Sequence, residues 1–120
     1  MGVRCLIVDD SVRFLEAAAS RLSRDGTTVV GTATNSAAAL AEAERLRPDV
    51  VLVDVSLGEE NGIDLSHELA ARFDDDLKIV LISTRAEQDL LELLVSSPAV
   101  GFIPKPWLSP RELLDLLDRA

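Results

Sequence analysis

One stretch restricts the folding options of this chain more than any other: VVLVDVSLGEENG, residues 50–62. Val50, Val51, Leu52, Val53 and Val55 are apolar and mostly β-branched, the pattern of a strand buried on both faces. A single carboxylate, Asp54, is set into the end of that run, and a polar loop containing Gly58 and Gly62 follows. An acid at the carboxyl end of a buried strand is badly placed for stability. It is well placed for chemistry, because open α/β sheets bind ligands just beyond their strand ends.

The flanking sequence repeats the theme. CLIVDD (5–10), TTVVGTAT (27–34), LKIVLIST (77–84) and VGFIPKP (100–106) each read as a short strand. Helical patterns separate them. SVRFLEAAASRLSRDG places Val12, Leu15, Ala19 and Leu22 at helical spacing, with Ser11 as N-cap and Gly26 as stop. A second helix starts from Asn35 or Ser36 and ends at Pro48. A third runs from Gly62 to about Phe73 with Leu65, Leu69 and Phe73 on one face, and Asp74, Asp75 and Asp76 then form a solvated turn. AEQDLLELLVSS (86–97) reads as a fourth helix. SPRE (109–112) opens the last one with a capping box, and Leu113, Leu116 and Leu117 supply its buried stripe.

Five apolar strands alternating with five helices predict a parallel sheet covered on both faces. The expected fold is α/β, a flavodoxin-like doubly wound five-stranded sheet of order 2-1-3-4-5. With 120 residues and no internal linker, the chain reads as one domain, residues 1–120. Apolar residues are 48% of the chain, yet there are only three Phe, one Trp and no Tyr, so the core must be aliphatic. The net charge of −9 disfavours nucleic acid binding through a basic surface. The lone Cys5 lies in an apolar run and reads as a core thiol, without a disulfide framework or zinc cluster. No signal peptide and no apolar stretch near 20 residues is present, so a cytoplasmic protein without membrane association is expected.

In the expected topology Asp9, Asp10, Asp54, Ser83, Thr84 and Lys105 all lie at carboxyl ends of strands and face one crevice. Adjacent carboxylates repel, and a hard divalent cation such as Mg²⁺ relieves that repulsion with oxygen ligands. A cation, a lysine and a hydroxyl together suit a phosphoryl group. Neither GxxxxGK[ST] nor GxGxxG occurs, so the phosphate is not expected on a cradled nucleotide. A carboxylate can itself be the nucleophile and become an aspartyl phosphate.

Asp9-Asp10, Asp54, Ser83 and Lys105-Pro106, in this order and each at an expected strand end, resemble the receiver domain of bacterial two-component response regulators. The resemblance spans the whole chain. Each motif is weak singly, and their register is what makes them specific. The resemblance implies a phosphorylation-dependent signalling switch rather than a turnover enzyme. Asp54 would accept a phosphoryl group from the phosphohistidine of a sensor histidine kinase or phosphotransfer protein. Asp10, Asp9, Asp54 and the Ser56 carbonyl would hold Mg²⁺, and Lys105 and Ser83 would contact the phosphoryl oxygens. Ser83 and Phe102 would form the switch, and the Lys105–Pro106 peptide would be cis. The surface of the fourth and fifth helices with the fifth strand would re-bias an output, with a second copy of the chain as a candidate partner. The apolar run LLELLV (90–95) fits such an interface.

Three positions depart from the commoner family pattern. Gly58 stands where Pro is frequent, which predicts a looser loop; Thr84 is bulkier than the usual Ala or Gly; and the switch aromatic is Phe rather than Tyr. Plainer readings exist for single residues: Asp9 and Asp10 as helix-capping acids, Phe102 as fixed core, His67 as a solvated surface histidine, and Trp107 as packing or partner surface. Two other functions compete. A pseudo-receiver would bind partners without being phosphorylated. An aspartyl-nucleophile phosphohydrolase would carry DxDx[TV] after its first strand, where this chain has DDSVR.

Overall fold

A computed structural model of the chain describes residues 2–24, 26–84, 92 and 94–119. The main strands are β1 (Val3–Val8), β2 (Thr27–Ala33), β3 (Val50–Asp54), β6 (Lys78–Ser83) and β7 (Gly101–Pro104). They form one parallel sheet in the order β2-β1-β3-β6-β7. Counting these five alone, that is the expected 2-1-3-4-5. The remaining two strands, β4 (Ser56–Leu57) and β5 (Glu60–Asn61), make a small antiparallel hairpin directly after Asp54.

The run Val50–Val53 is completely buried, which follows from the two-residue side-chain period of a strand covered on both faces. Cys5, Ile7, Val50, Leu52, Val80, Ile82 and Ile103 point to one side. There they meet Leu15, Ala18 and Leu22 of α1 (Val12–Leu22) and Leu113 of the final helix, α4 (Pro110–Arg119). Leu6, Val8, Val51, Val53, Ile79 and Leu81 point to the other, against α2 (Ser36–Leu46) and α3 (Gly62–Phe73). Each aliphatic side chain buried this way contributes about 1.5–3 kcal/mol. Burial also pushes the Cys5 thiol up to about 12, in keeping with an inert core cysteine.

Local signals set the helix starts. Ser11 accepts from the Phe14 amide, Asn35 from Ala38, Asn61 from Ile63 and Ser109 from Glu112, each fixing the register of its helix. At the end of α2, Arg47 adopts the left-handed conformation (φ 49°) just before Pro48. Of the predicted stripe of α1, Leu15 and Leu22 are buried, whereas Val12 is 57% exposed and Ala18 is buried as well. The helix expected at 86–97 lies largely outside the described residues, although Glu92, Leu94 and Val95 are helical. The reading of LLELLV as an interface falls on the same stretch. His67 is exposed, and its Nε2 lies 2.8 Å from the Ser96 carbonyl oxygen, so it is not purely solvated. Among the described residues no helix is long and apolar enough to cross a membrane.

Candidate functional site

The chain leaves β1 toward β2 and leaves β3 toward β6, so the sheet order reverses between β1 and β3. Crevices form at such points, outside the carboxyl ends of the strands. Asp9 follows β1 and Asp54 ends β3, and carboxylate oxygens of Asp9, Asp10 and Asp54 all lie within 4.8 Å of one another. Asp9 is fully buried, Asp54 is 6% exposed and Asp10 is exposed.

Lys105, just past β7, reaches into this cluster. Its Nζ is 2.6 Å from Asp9 Oδ2 and 3.0 Å from Asp54 Oδ2. The other oxygens are held by backbone. The Ser11 amide donates to Asp9 Oδ1 at 2.9 Å, and the Ser56 amide donates to Asp54 Oδ1 at 3.2 Å. Asp9 therefore does both things the sequence offered it: it supports the start of α1 and belongs to the crevice. Its Oδ2, although close to the ammonium, has no aligned hydrogen-bond donor. A buried oxygen so placed, beside two further carboxylates, fits a hard cation with oxygen ligands such as Mg²⁺.

Burial pushes the Asp54 carboxyl above its ordinary value of 3.8; Lys105 and the Ser56 amide pull it back, and the Asp9 charge adds to the rise. For Lys105 burial is the largest influence and lowers its pKa, but the two carboxylates outweigh it and hold the ammonium above its ordinary range. A pH dependence follows for Asp54. An acid whose folded-state pKa is raised binds its proton more tightly when folded, so its favourable contribution is complete below pH 3.8 and is lost as the pH rises through the folded value. In buffer without divalent cations, the stability of Asp54→Asn relative to wild type is therefore expected to climb from about pH 4 upward. Urea unfolding of both proteins across a pH series checks this; a constant difference contradicts it.

The loop beyond Asp54 is tighter than the sequence suggested. Ser56 and Leu57 pair with Asn61 and Glu60 around a two-residue turn. Gly58 has φ 64°, whereas Glu59 is not among the positive-φ residues, the sign pattern of a type II′ hairpin turn. Proline, locked near φ −65°, cannot take this position. So the expected loose loop is a paired hairpin, and it is tied outward as well, because Glu60 Oε1 accepts from the Ser36 amide at the start of α2. Behind it, the Gly62 amide donates to the Val55 carbonyl at 2.8 Å.

Ser83 ends β6 and is buried, opposite Pro104 in register and one residue past the Ile82 that pairs with Asp54. Thr84 is exposed beside it. Phe102 is half-buried in the cluster shared with α2 and α3, while its neighbour Ile103 faces the opposite layer. The expected cis peptide at Lys105–Pro106 is absent: the bond is trans. The strand ends at Pro104, and Lys105–Trp107 form a single 3₁₀ turn with Pro106 in its first turn, closed by the Leu108 amide donating to the Lys105 carbonyl. Trp107 is 68% exposed, which makes it surface rather than packing.

One residue was not anticipated. The ring of Phe14 lies under Lys105, its centroid 4.6 Å from Nζ. The signal was present in the sequence: Phe14, Ala17, Ala18 and Arg21 share one side of α1, and together with Thr84, Lys105 and Pro106 they line a groove beside the crevice.

A flavodoxin-like sheet thus carries three clustered carboxylates and a half-buried lysine at its switch point. Residues 5–118 match the response regulator receiver domain, and the chain belongs to that family, the receiver domains of two-component response regulators. It is similar to the chemotaxis protein CheY of Thermotoga maritima, 32% identical over 120 residues that cover 100% of this chain and 98% of that protein. It is also 35% identical over 116 residues to the DNA-binding response regulator MtrA of Mycolicibacterium paratuberculosis, covering 95% of this chain and 49% of MtrA. Among solved structures it resembles the CheX-CheY-BeF3-Mg complex from Borrelia burgdorferi, with TM-score 0.78, 25% identity, and coverage of 98% of this chain and 87% of that one.

Proposed function

We propose that this receiver domain is switched by phosphorylation of Asp54. The observation that carries the reading is the placement of Lys105 Nζ between Asp9 Oδ2 and Asp54 Oδ2 in a trio of carboxylates at the switch point. An Asp54 oxygen attacks the phosphorus of a phosphohistidine on a sensor histidine kinase or phosphotransfer protein. The O–P bond forms, the N–P bond breaks, and the imidazole leaves and takes up a proton. Lys105 already sits 3.0 Å from the accepting carboxylate, so its ammonium passes to the phosphoryl oxygens with little rearrangement. Ser83, at the adjacent strand end, supplies a hydroxyl to the same group.

Asp9, Asp10 and Asp54, whose carboxylates cluster, are the residues that would hold Mg²⁺, with the Ser56 carbonyl as the further ligand that the family resemblance implies. Bound there, the cation neutralises charge on the phosphoryl oxygens. The complex of the CheY relative with beryllofluoride and magnesium supports this assignment by likeness. The added charge of about −1.5 to −2 re-biases Ser83, Phe102 and the surface built on β7 and α4. That surface would engage an output, a second copy of this chain included, without direct nucleic acid binding by this domain. We place the protein in the cytoplasm, where such kinases present their phosphohistidine.

The cation requirement is testable with phosphoramidate, which carries the same N–P bond. Addition of one phosphoryl group, read by intact mass, is expected with Mg²⁺ and not with a chelator. Asp10→Asn is expected to raise the Mg²⁺ concentration required by at least about tenfold. Equal addition in the chelator overturns the assignment.

A further inference from the structure

The half-buried Lys105 has three N–H donors and no acceptor. Two of its sides face carboxylates, at 2.6 Å and 3.0 Å. Another is covered by the Phe14 ring, 4.6 Å from Nζ to its centroid, within the range where a ring face attracts a cation. This contact is built from the same residues that build the crevice. Asp9 Oδ1 accepts from the Ser11 amide, and Ser11 Oγ accepts from the Phe14 amide. The first turn of α1 is thereby fixed in register with the end of β1, and Phe14 is delivered to Lys105. The side chain of Lys105 is only 16% exposed, so water screens the contact little. Along the same side of the helix, Arg21 donates to the Leu108 carbonyl at 3.2 Å and ties α1 to the segment that follows Lys105.

We propose that Phe14 is a positioning residue for the reaction: its ring face holds the Lys105 ammonium at the crevice while that ammonium moves from the Asp54 carboxylate to the phosphoryl oxygens. The inference rests on the reading of Asp54 as phosphoacceptor. When Asp54 is modified, Lys105 gives up a charged partner at 3.0 Å, whereas the Phe14 ring belongs to α1 and is not part of the group that is modified. With the Asp9 carboxylate at 2.6 Å, the aromatic face is the second contact that keeps the ammonium from swinging into solvent during the exchange.

The test compares wild type with Phe14→Leu, which keeps an apolar side chain of similar bulk, and with Phe14→Tyr, which keeps the ring face. Two readouts are taken on the full chain. In metal-free protein, NMR of the Lys105 side chain is expected to show ring-current-shifted Hε protons in wild type and Phe14→Tyr, and ordinary shifts in Phe14→Leu. With Mg²⁺ present, beryllofluoride serves as the phosphoryl mimic. Its half-saturating concentration is expected to rise about fivefold in Phe14→Leu, equivalent to about 1 kcal/mol, and to stay within about twofold in Phe14→Tyr. Should Phe14→Leu fold poorly, Phe14→Met carries the same expectation.

Wild-type binding with equal affinity in Phe14→Leu and Phe14→Tyr overturns the role of Phe14 and leaves the phosphoacceptor reading standing. Equal losses in both variants overturn it too, since the ring is then mere packing. No beryllofluoride binding by wild type overturns the phosphoacceptor reading itself, and with it the role given to Phe14.

Discussion

Gly62→Ala is expected to cost at least about 3 kcal/mol of stability and to abolish phosphoryl uptake at Asp54. A Cβ built at Gly62 would fall inside the van der Waals shell of the Asp54 carbonyl oxygen, 2.9 Å from the carbonyl carbon and 3.0 Å from the Val55 Cα. All three obstacles are backbone, so no rotamer relieves the clash. Either α3 moves away from the sheet, breaking the bond from the Gly62 amide to Val55, or the end of β3 moves and carries the Asp54 carboxylate with it. A domain of this size has about 5–15 kcal/mol in total, so the loss is large. Gly26 provides the control. It has φ 87° but nothing within 4 Å of a built Cβ, so Gly26→Ala is expected to lose only about 1–2 kcal/mol from its left-handed backbone. Urea unfolding of both variants, alongside phosphoryl uptake, decides the matter. Equal small losses would mean that the close approach at Gly62 is easily relaxed.

Lys105→Met should be the second severe change. It removes the cation from between a fully buried and a nearly buried carboxylate and leaves two uncompensated charges in contact. Removing one partner of a buried ion pair costs about 3–5 kcal/mol. The loss should be largest near neutral pH and shrink as the pH falls, because protonated carboxyls no longer repel. Adding Asp54→Asn removes one of the opposed charges, so the double variant should recover part of the loss, a coupling that a double-mutant cycle measures. If Lys105→Met were as stable as wild type at pH 7, the ammonium would not be neutralising this cluster.

These two residues differ in how far the sequence exposed them. Lys105 was legible because an apolar strand that ends in a charge is an anomaly, and the same anomaly marked Asp9, Asp10 and Asp54, with the hydroxyl of Ser83 closing a further apolar strand. Strand order then brought those ends together, and the crevice followed from topology. The helix caps at Ser11, Asn35 and Ser109 were legible for a different reason: each is decided within about one turn of chain. Gly62 was read as the start of a helix, but its close approach to Asp54 depends on how α3 meets β3, which no local pattern encodes.

The misses have the same origin. The hairpin at Ser56–Asn61 pairs only two residues on each side, too few to leave a periodic signature, and Gly58 was judged against the family's proline rather than as a turn residue. In α1 the apolar spacing found Leu15 and Leu22, but it also took in Val12, which is exposed, and left out Ala18, which is buried. The Lys105–Pro106 bond is trans, within a 3₁₀ turn at the end of β7, where the family pattern had suggested a cis bond.

The account stands or falls on where a phosphoryl group lands. After incubation with phosphoramidate and Mg²⁺, borohydride reduction converts an aspartyl phosphate to homoserine, which peptide mapping by mass spectrometry locates. Homoserine is expected at position 54 alone, and no modification is expected in Asp54→Asn. A wild-type protein that takes up no phosphoryl group, or an addition that survives Asp54→Asn, would contradict the assignment of Asp54 as the acceptor.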